Sequence, residues 1–178
     1  FEKAPWTDWS VSGYTGMEIY NVAHDTLDEN KLRLGLWTLM APREPFYLSI
    51  LARPYDPLGT WDRLIAHRGP TVGIGATDAH EFHLMGLRFA PYDDMFRLCR
   101  TSLLIPTPTA NAEVIYDALR KGHAYVSIDL LAEARGFTFF AEDGERVLGI
   151  MGDSVTLIPN LQLTAVLPTA AQLARFVE

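Results

Sequence analysis

Val72-Gly73-Ile74-Gly75-Ala76-Thr77-Asp78-Ala79-His80 is the stretch on which the fold turns. Val72 and Ile74 are β-branched, and Gly73 and Gly75 between them let other groups approach closely, which predicts a strand over 71–77. Just upstream, Thr60 offers an N-cap for a helix running through His67, with Trp61, Leu64 and Ile65 toward the core. Gly69 stands where such a helix stops. Helix, glycine turn and apolar strand in that order is the rhythm of an α/β unit, so an α/β fold is expected.

Working outward, Gly16-Met17-Glu18-Ile19-Tyr20-Asn21 predicts a second short strand, with Met17 and Ile19 alternating against Glu18 and Tyr20. If Met17 and Ile19 pack on helices, Glu18 points the other way, which in a parallel barrel is inward. Residues 28–40 predict a helix, because Leu32, Leu36, Leu39 and Met40 share a face. Residues 41–58 are rich in proline and aromatics and are expected to form a long structured loop. After Pro91 the character changes. Asp93-Asp94 suits a charged helix start, and Pro106-Thr107-Pro108-Thr109 suits a linker or sharp turn. Thr109 could cap a helix carrying Ile115, Ala118 and Leu119 and ending at Gly122. Short strands are then expected over 123–128, 136–141, 146–150, 155–158 and 161–167, with Asp143-Gly144 as a hairpin signal. That spacing argues for an antiparallel sandwich. The expected division is an α/β part over 1–105 and a helix plus partial all-β sandwich over 106–178.

Composition narrows the function classes. The 178 residues are 48% hydrophobic and 21% charged, close to globular averages. The net charge of −7 comes without a basic stripe, so no nucleic-acid partner is expected. No apolar run approaches the roughly 18 residues of a membrane span. Cys99 is the single cysteine, which rules out an internal disulfide and fits a small buried hydrophobe. The chain opens on Phe1 without a signal-like segment, and its last residues, from Leu173 to Glu178, alternate like a strand. We therefore expect a piece cut from a longer polypeptide at both ends, which leaves the compartment open.

The chemistry concentrates at Asp78 and His80. A carboxylate and an imidazole two residues apart, just past a strand end, can both turn toward one cation. Hard oxygen with borderline nitrogen suits Zn, Mn or Fe, and the carboxyl ends of strands are where α/β active sites form. The alternative is a capped strand end with a solvated histidine. Glu18 could ligate metal, orient a ligand, or sit in a structural hydrogen bond, and Asn21 just beyond it could orient water or substrate. His83 could meet substrate or donate a proton, or be a surface or capping residue; His24 is a weaker candidate on the same rim. His67, late in a helix, and His123, beginning a strand, suit structural roles. No phosphate-binding glycine loop, dinucleotide fingerprint or Gly-x-Ser-x-Gly elbow is present.

The segments Gly16–Asn21 and Gly73–His80, in this order, resemble the PHP (polymerase and histidinol phosphatase) family, whose late motifs read Gly-x-Glu-Ile/Val-x-Asn and Gly-Ser-Asp-Ala-His; here Thr77 replaces the serine. The run from Ala118 to Ser127 is similar to the branch related to carbaryl hydrolase, the CehA/McbA type, in which a helix and a β-sandwich follow the barrel. The resemblance implies a distorted (β/α)7 barrel holding two or three divalent cations, of which residues 1–105 would be the C-terminal part. It implies that Asp78 and His80 are metal ligands, that Glu18 lies beside the site, and that earlier ligands lie upstream of Phe1. The activity implied is hydrolysis of a small-molecule ester by metal-activated water. A phosphoester is the first expectation, and a carboxylic or carbamate ester the second. The alternative is a non-catalytic PHP-like module whose sandwich binds carbohydrate, protein or a surface.

Overall fold

The computed structural model describes residues 6–23, 43–51, 55–84, 86–130 and 133–168, and within these the chain is mixed α/β with small sheets. Strand β1 (Gly16–Asn21) pairs in parallel with β2 (Val72–Ala76). The helix expected over 28–40 lies outside the described residues, as does His24.

The reading of 41–58 as a loop is overturned at 43–50 and 55–58, while residues 41–42 and 52–54 lie outside the described residues. Helix α1 covers Arg43–Ile50, and α2 covers Tyr55–Arg68, so Thr60 lies inside α2 rather than capping it. Pro45 and Pro57 each fall third in their helices. The first-turn N–H groups have no intrahelical acceptor, so a proline there removes nothing the helix uses. Helix α2 ends at Gly69 as expected, and its Trp61 Nε1 donates to Thr71 O at 2.6 Å, tying the helix to the start of β2. At the same end Arg68 donates to the carbonyls of Trp9 and Val11, which anchors the segment before β1.

The simple alternation expected for β1 is also corrected. Its pairing with β2 shifts between Glu18 and Tyr20, a bulge that no residue type in the segment announces. Tyr20 is therefore buried, not grouped with Glu18, and joins Val22, Tyr47, Met95, Leu98, Cys99 and Leu130 in the core. Leu98 is fully buried, a contribution of about 1.5–3 kcal/mol for a side chain of its size. The glycines of β2 admit this packing: a Cβ on Gly73 would stand 2.8 Å from Ile19 Cδ1, and one on Gly75 2.5 Å from Val126 Cγ1.

Beyond β2, a hairpin of β3 (Phe82–Leu84) and β4 (Leu87–Phe89) leads into α3 (Tyr92–Leu98), whose first turn holds Asp93 and Asp94 as expected. Strand β5 (Arg100–Leu103) pairs antiparallel with β6 (Ala124–Ser127). The Thr101 hydroxyl donates to Gly75 O at 2.9 Å and accepts from Gly75 N at 3.0 Å, so a side chain links β5 to β2. Between these strands α4 covers Ala112–Lys121. Its N-cap is Asn111, whose side chain accepts from Val114 N, rather than Thr109; Gly122 closes it in a left-handed C-cap.

The last elements form one antiparallel sheet in the order β8-β7-β9: β7 (Thr138–Asp143), β8 (Arg146–Ile150) and β9 (Gln162–Val166). The expected Asp143-Gly144 hairpin joins β7 to β8. Two expectations for this region change. Residues 155–158 are not a strand, and β6 pairs with β5 instead of entering this sheet. The turn after β8 packs against the end of α4, where His123 Nε2 and Asp153 Oδ1 are 2.8 Å apart. No helix among the described residues is long and apolar enough to cross a membrane.

Candidate functional site

The parallel pairing brings the two sequence motifs to one sheet edge. Asn21, the last residue of β1, is in register with Ala76, the last of β2, and Ala23 N donates to Thr77 O at 3.2 Å to continue the contact. Paired residues share a face, and Ile74 and Ala76 share a face of β2 because side chains alternate along a strand. Their partners Glu18 and Asn21 therefore also share a face, which the bulge makes possible. Asn21 Nδ2 donates to Glu18 Oε1 at 2.8 Å and fixes that carboxylate.

Past β2 the backbone turns sharply. Thr77 is buried, and Asp78 adopts φ +48, a left-handed conformation that short polar residues tolerate best at a cost of about 1–2 kcal/mol. The turn leaves the Asp78 side chain 53% and the His80 side chain 77% exposed, so either can reach a solvent-borne ligand without losing much hydration. His80 Nδ1 lies 2.6 Å from the carbonyl oxygen of Asp78. A carbonyl only accepts, so the neutral ring carries its proton on Nδ1 and leaves the Nε2 lone pair bare. A backbone carbonyl holding one ring nitrogen while the other ligates is the usual support of a metal-binding histidine. The Asp78 carboxylate lies to the Nδ1 side, with Oδ1 3.5 Å away.

Carboxylate oxygen and imidazole nitrogen are donor types that a divalent cation takes, but in this conformation the Asp78 carboxylate stands beside Nδ1, the nitrogen already engaged by the Asp78 carbonyl, and not beside Nε2. Among the described residues no group of three His, Cys, Asp or Glu side chains is arranged to hold an ion. Glu18 and Asn21 face the same edge from the neighbouring strand. His83 stands on β3 with its side chain 66% exposed, and its Nε2 is 3.9 Å from Glu81 Oε1.

Glu81 and Arg88 are residues that the sequence reading passed over. Glu81 follows His80 directly; its carboxylate accepts from Arg88 Nη2 at 2.8 Å and from the Tyr92 backbone N–H at 3.0 Å. The Arg88 hydrogen bond, followed by that of Tyr92 N–H, holds the Glu81 carboxyl down to about 2. The signal lay in the mirrored triplets Phe82-His83-Leu84 and Leu87-Arg88-Phe89 about Gly86, which spell a hairpin.

Cys99 is free and buried. Burial first, then the Glu18 and Asp129 carboxylates, push its thiol up to about 11, so the reactive thiolate is suppressed. Arg100 and the buried Asp129 form an ion pair at 3.1 Å, and Asp129 also accepts from Ala134 N, a structural tie below β6. No protein-family model matches the chain, and no curated protein or solved structure matches it either.

Proposed function

We propose that this chain is part of a metal-dependent hydrolase of the PHP type, a phosphoesterase acting on a small-molecule ester. In the intact protein a distorted (β/α)7 barrel would hold two or three divalent ions, Zn, Mn or Fe. One observation carries the reading: adjacent parallel strands deliver Glu18 with Asn21, and Asp78 with His80, to the same carboxyl-terminal edge. Asp78 would supply carboxylate oxygen and His80 its bare Nε2, with the Asp78 carbonyl fixing the ring. Glu18, held by Asn21, would shape the electrostatics beside them, and the exposed His83 would contact substrate. A bound divalent cation supplies an activated water and stabilises charge on the oxyanion.

The test is calorimetric titration with Mn²⁺ or Zn²⁺, paired with hydrolysis of p-nitrophenyl phosphate and p-nitrophenyl acetate by the full-length protein. Asp78→Ala is expected to lose cation binding and turnover while far-UV circular dichroism holds and Tm falls by at most about 2–8 °C, the cost of alanine at φ +48. Wild-type turnover in that variant refutes the assignment. Cation binding without hydrolysis of either ester favours the non-catalytic module.

A further inference from the structure

We propose that Glu81 and Arg88 are positioning residues that lock the Asp78–His80 turn into its conformation by fastening the base of the following hairpin to the start of α3. The inference rests on the metal-site reading only for what the turn is used for; the lock itself stands on geometry. Asp78 at φ +48 and Ala90 at φ +47 are the non-glycine residues with positive φ among those described, and they bracket residues 79–89. Strained backbone persists only where its surroundings over-determine it. Here the hairpin supplies three short strand pairs, Phe82 with Phe89, His83 with Arg88 and Leu84 with Leu87. A hairpin so short is marginal without further support.

That support comes from side chains at its neck. Arg88 Nη2 lies 2.8 Å from both Glu81 Oε2 and Asp93 Oδ1, so one guanidinium spans the residue after His80, strand β4 and the first turn of α3. The same Glu81 oxygen accepts from the N–H of Tyr92, the first residue of α3. The Glu81 side chain is the least exposed of the three, with Arg88 and Asp93 reaching solvent. Helix α3 is in turn seated in the core through Met95 and Leu98. Residues 81 and 92 are thus tied together at the neck of the hairpin, on a helix seated through Met95 and Leu98. Arg88 Nη2 is shared between these two carboxylates.

Two variants and two readouts test the lock. In metal-free protein, Glu81→Gln keeps an acceptor for Tyr92 N–H and loses the charge that holds Arg88. Amide exchange across residues 79–92 is expected to quicken by roughly tenfold or more, the scale of losing a hydrogen bond to a charged group, with exchange in α4 unchanged. Arg88→Lys keeps the charge but moves the single donor, Nη2, that reaches both carboxylates, and is expected to fall between wild type and Glu81→Gln. Co²⁺ added to each protein reports the ligand field: Glu81→Gln is expected to shift the visible spectrum and weaken affinity by about 10–100-fold, as losing an outer-shell support does. Unchanged exchange over 79–92 in Glu81→Gln overturns the lock. A wild-type protein that takes up no Co²⁺ overturns the metal-site reading, and the exchange data then still decide whether the lock exists.

Discussion

Replacing Gly152 by alanine tests the seam between the last sheet and α4. Gly152 adopts φ +95, and a Cβ built on it would stand 2.3 Å from Lys121 O and 2.5 Å from the Gly122 carbonyl carbon. Both contacts are backbone, so no side-chain rotation relieves them. The conformational cost of a left-handed residue is about 1–2 kcal/mol, and overpacking against a fixed neighbour adds about 1–3 kcal/mol. The sum, about 2–5 kcal/mol, is a large share of the roughly 5–15 kcal/mol by which a domain is stable. For a chain of this length each kcal/mol moves Tm by about 2–4 °C, so a fall of about 4–20 °C is expected. Gly144→Ala is the control: φ is +62 there, but nothing lies within 4 Å of a built Cβ, so only the conformational cost applies. Urea denaturation with thermal melts gives both numbers. If Gly152→Ala costs no more than Gly144→Ala, the turn is not pressed against α4 and the packing argument fails.

Gly75→Ala places a methyl 2.5 Å from Val126 Cγ1 and 2.8 Å from Cys99 Sγ; a loss of about 1–3 kcal/mol is expected, and the Gly75→Ala, Val126→Ala double variant should recover part of it in a double-mutant cycle by chemical denaturation. Asn111→Ala removes the cap on Val114 N and should cost about 0.5–2 kcal/mol in urea melts, whereas Thr109→Ala should cost little. Asp153 is held below the ordinary carboxylate range first by its bond with His123 and then by Ile150 N–H. Its folded value is depressed, so the stability it gives is complete above the unfolded value of about 3.9 and is lost as pH falls through the folded one. The Tm gap between wild type and Asp153→Asn should therefore close as pH falls into the acid range; a gap that persists in acid contradicts the assignment.

Much of the α/β part was legible because its signals are local. Val72 and Ile74 flanked by glycines mark β2, and Gly69 and Gly122 mark two helix ends, since each reflects a backbone preference that needs no partner. Residues 43–50 and 55–58 were misread for the complementary reason. Proline density signals a loop only if the prolines fall outside a first turn, and where the turn begins is set by burial of residues such as Tyr47, which a local window does not contain. Likewise β6 carries an ordinary strand pattern, but its choice of β5 over the later sheet depends on the β2 packing of Val126 and Thr101.

The site divides along the same line. Asp78 and His80 could be singled out because both donors sit within three residues, whereas the relation of Glu18 to Asn21 could not be read from spacing at all. Strict alternation puts residues 18 and 21 on opposite faces of a strand. Only the register shift after Glu18 returns Asn21 to the face of Glu18, and the same shift sends Tyr20 into the core beside Leu98. One extra residue in β1 thus does two things at once: it buries Tyr20 and brings the Asn21 amide to the Glu18 carboxylate. A strand with regular pairing would have grouped Tyr20 with Glu18 and sent Asn21 to the opposite face.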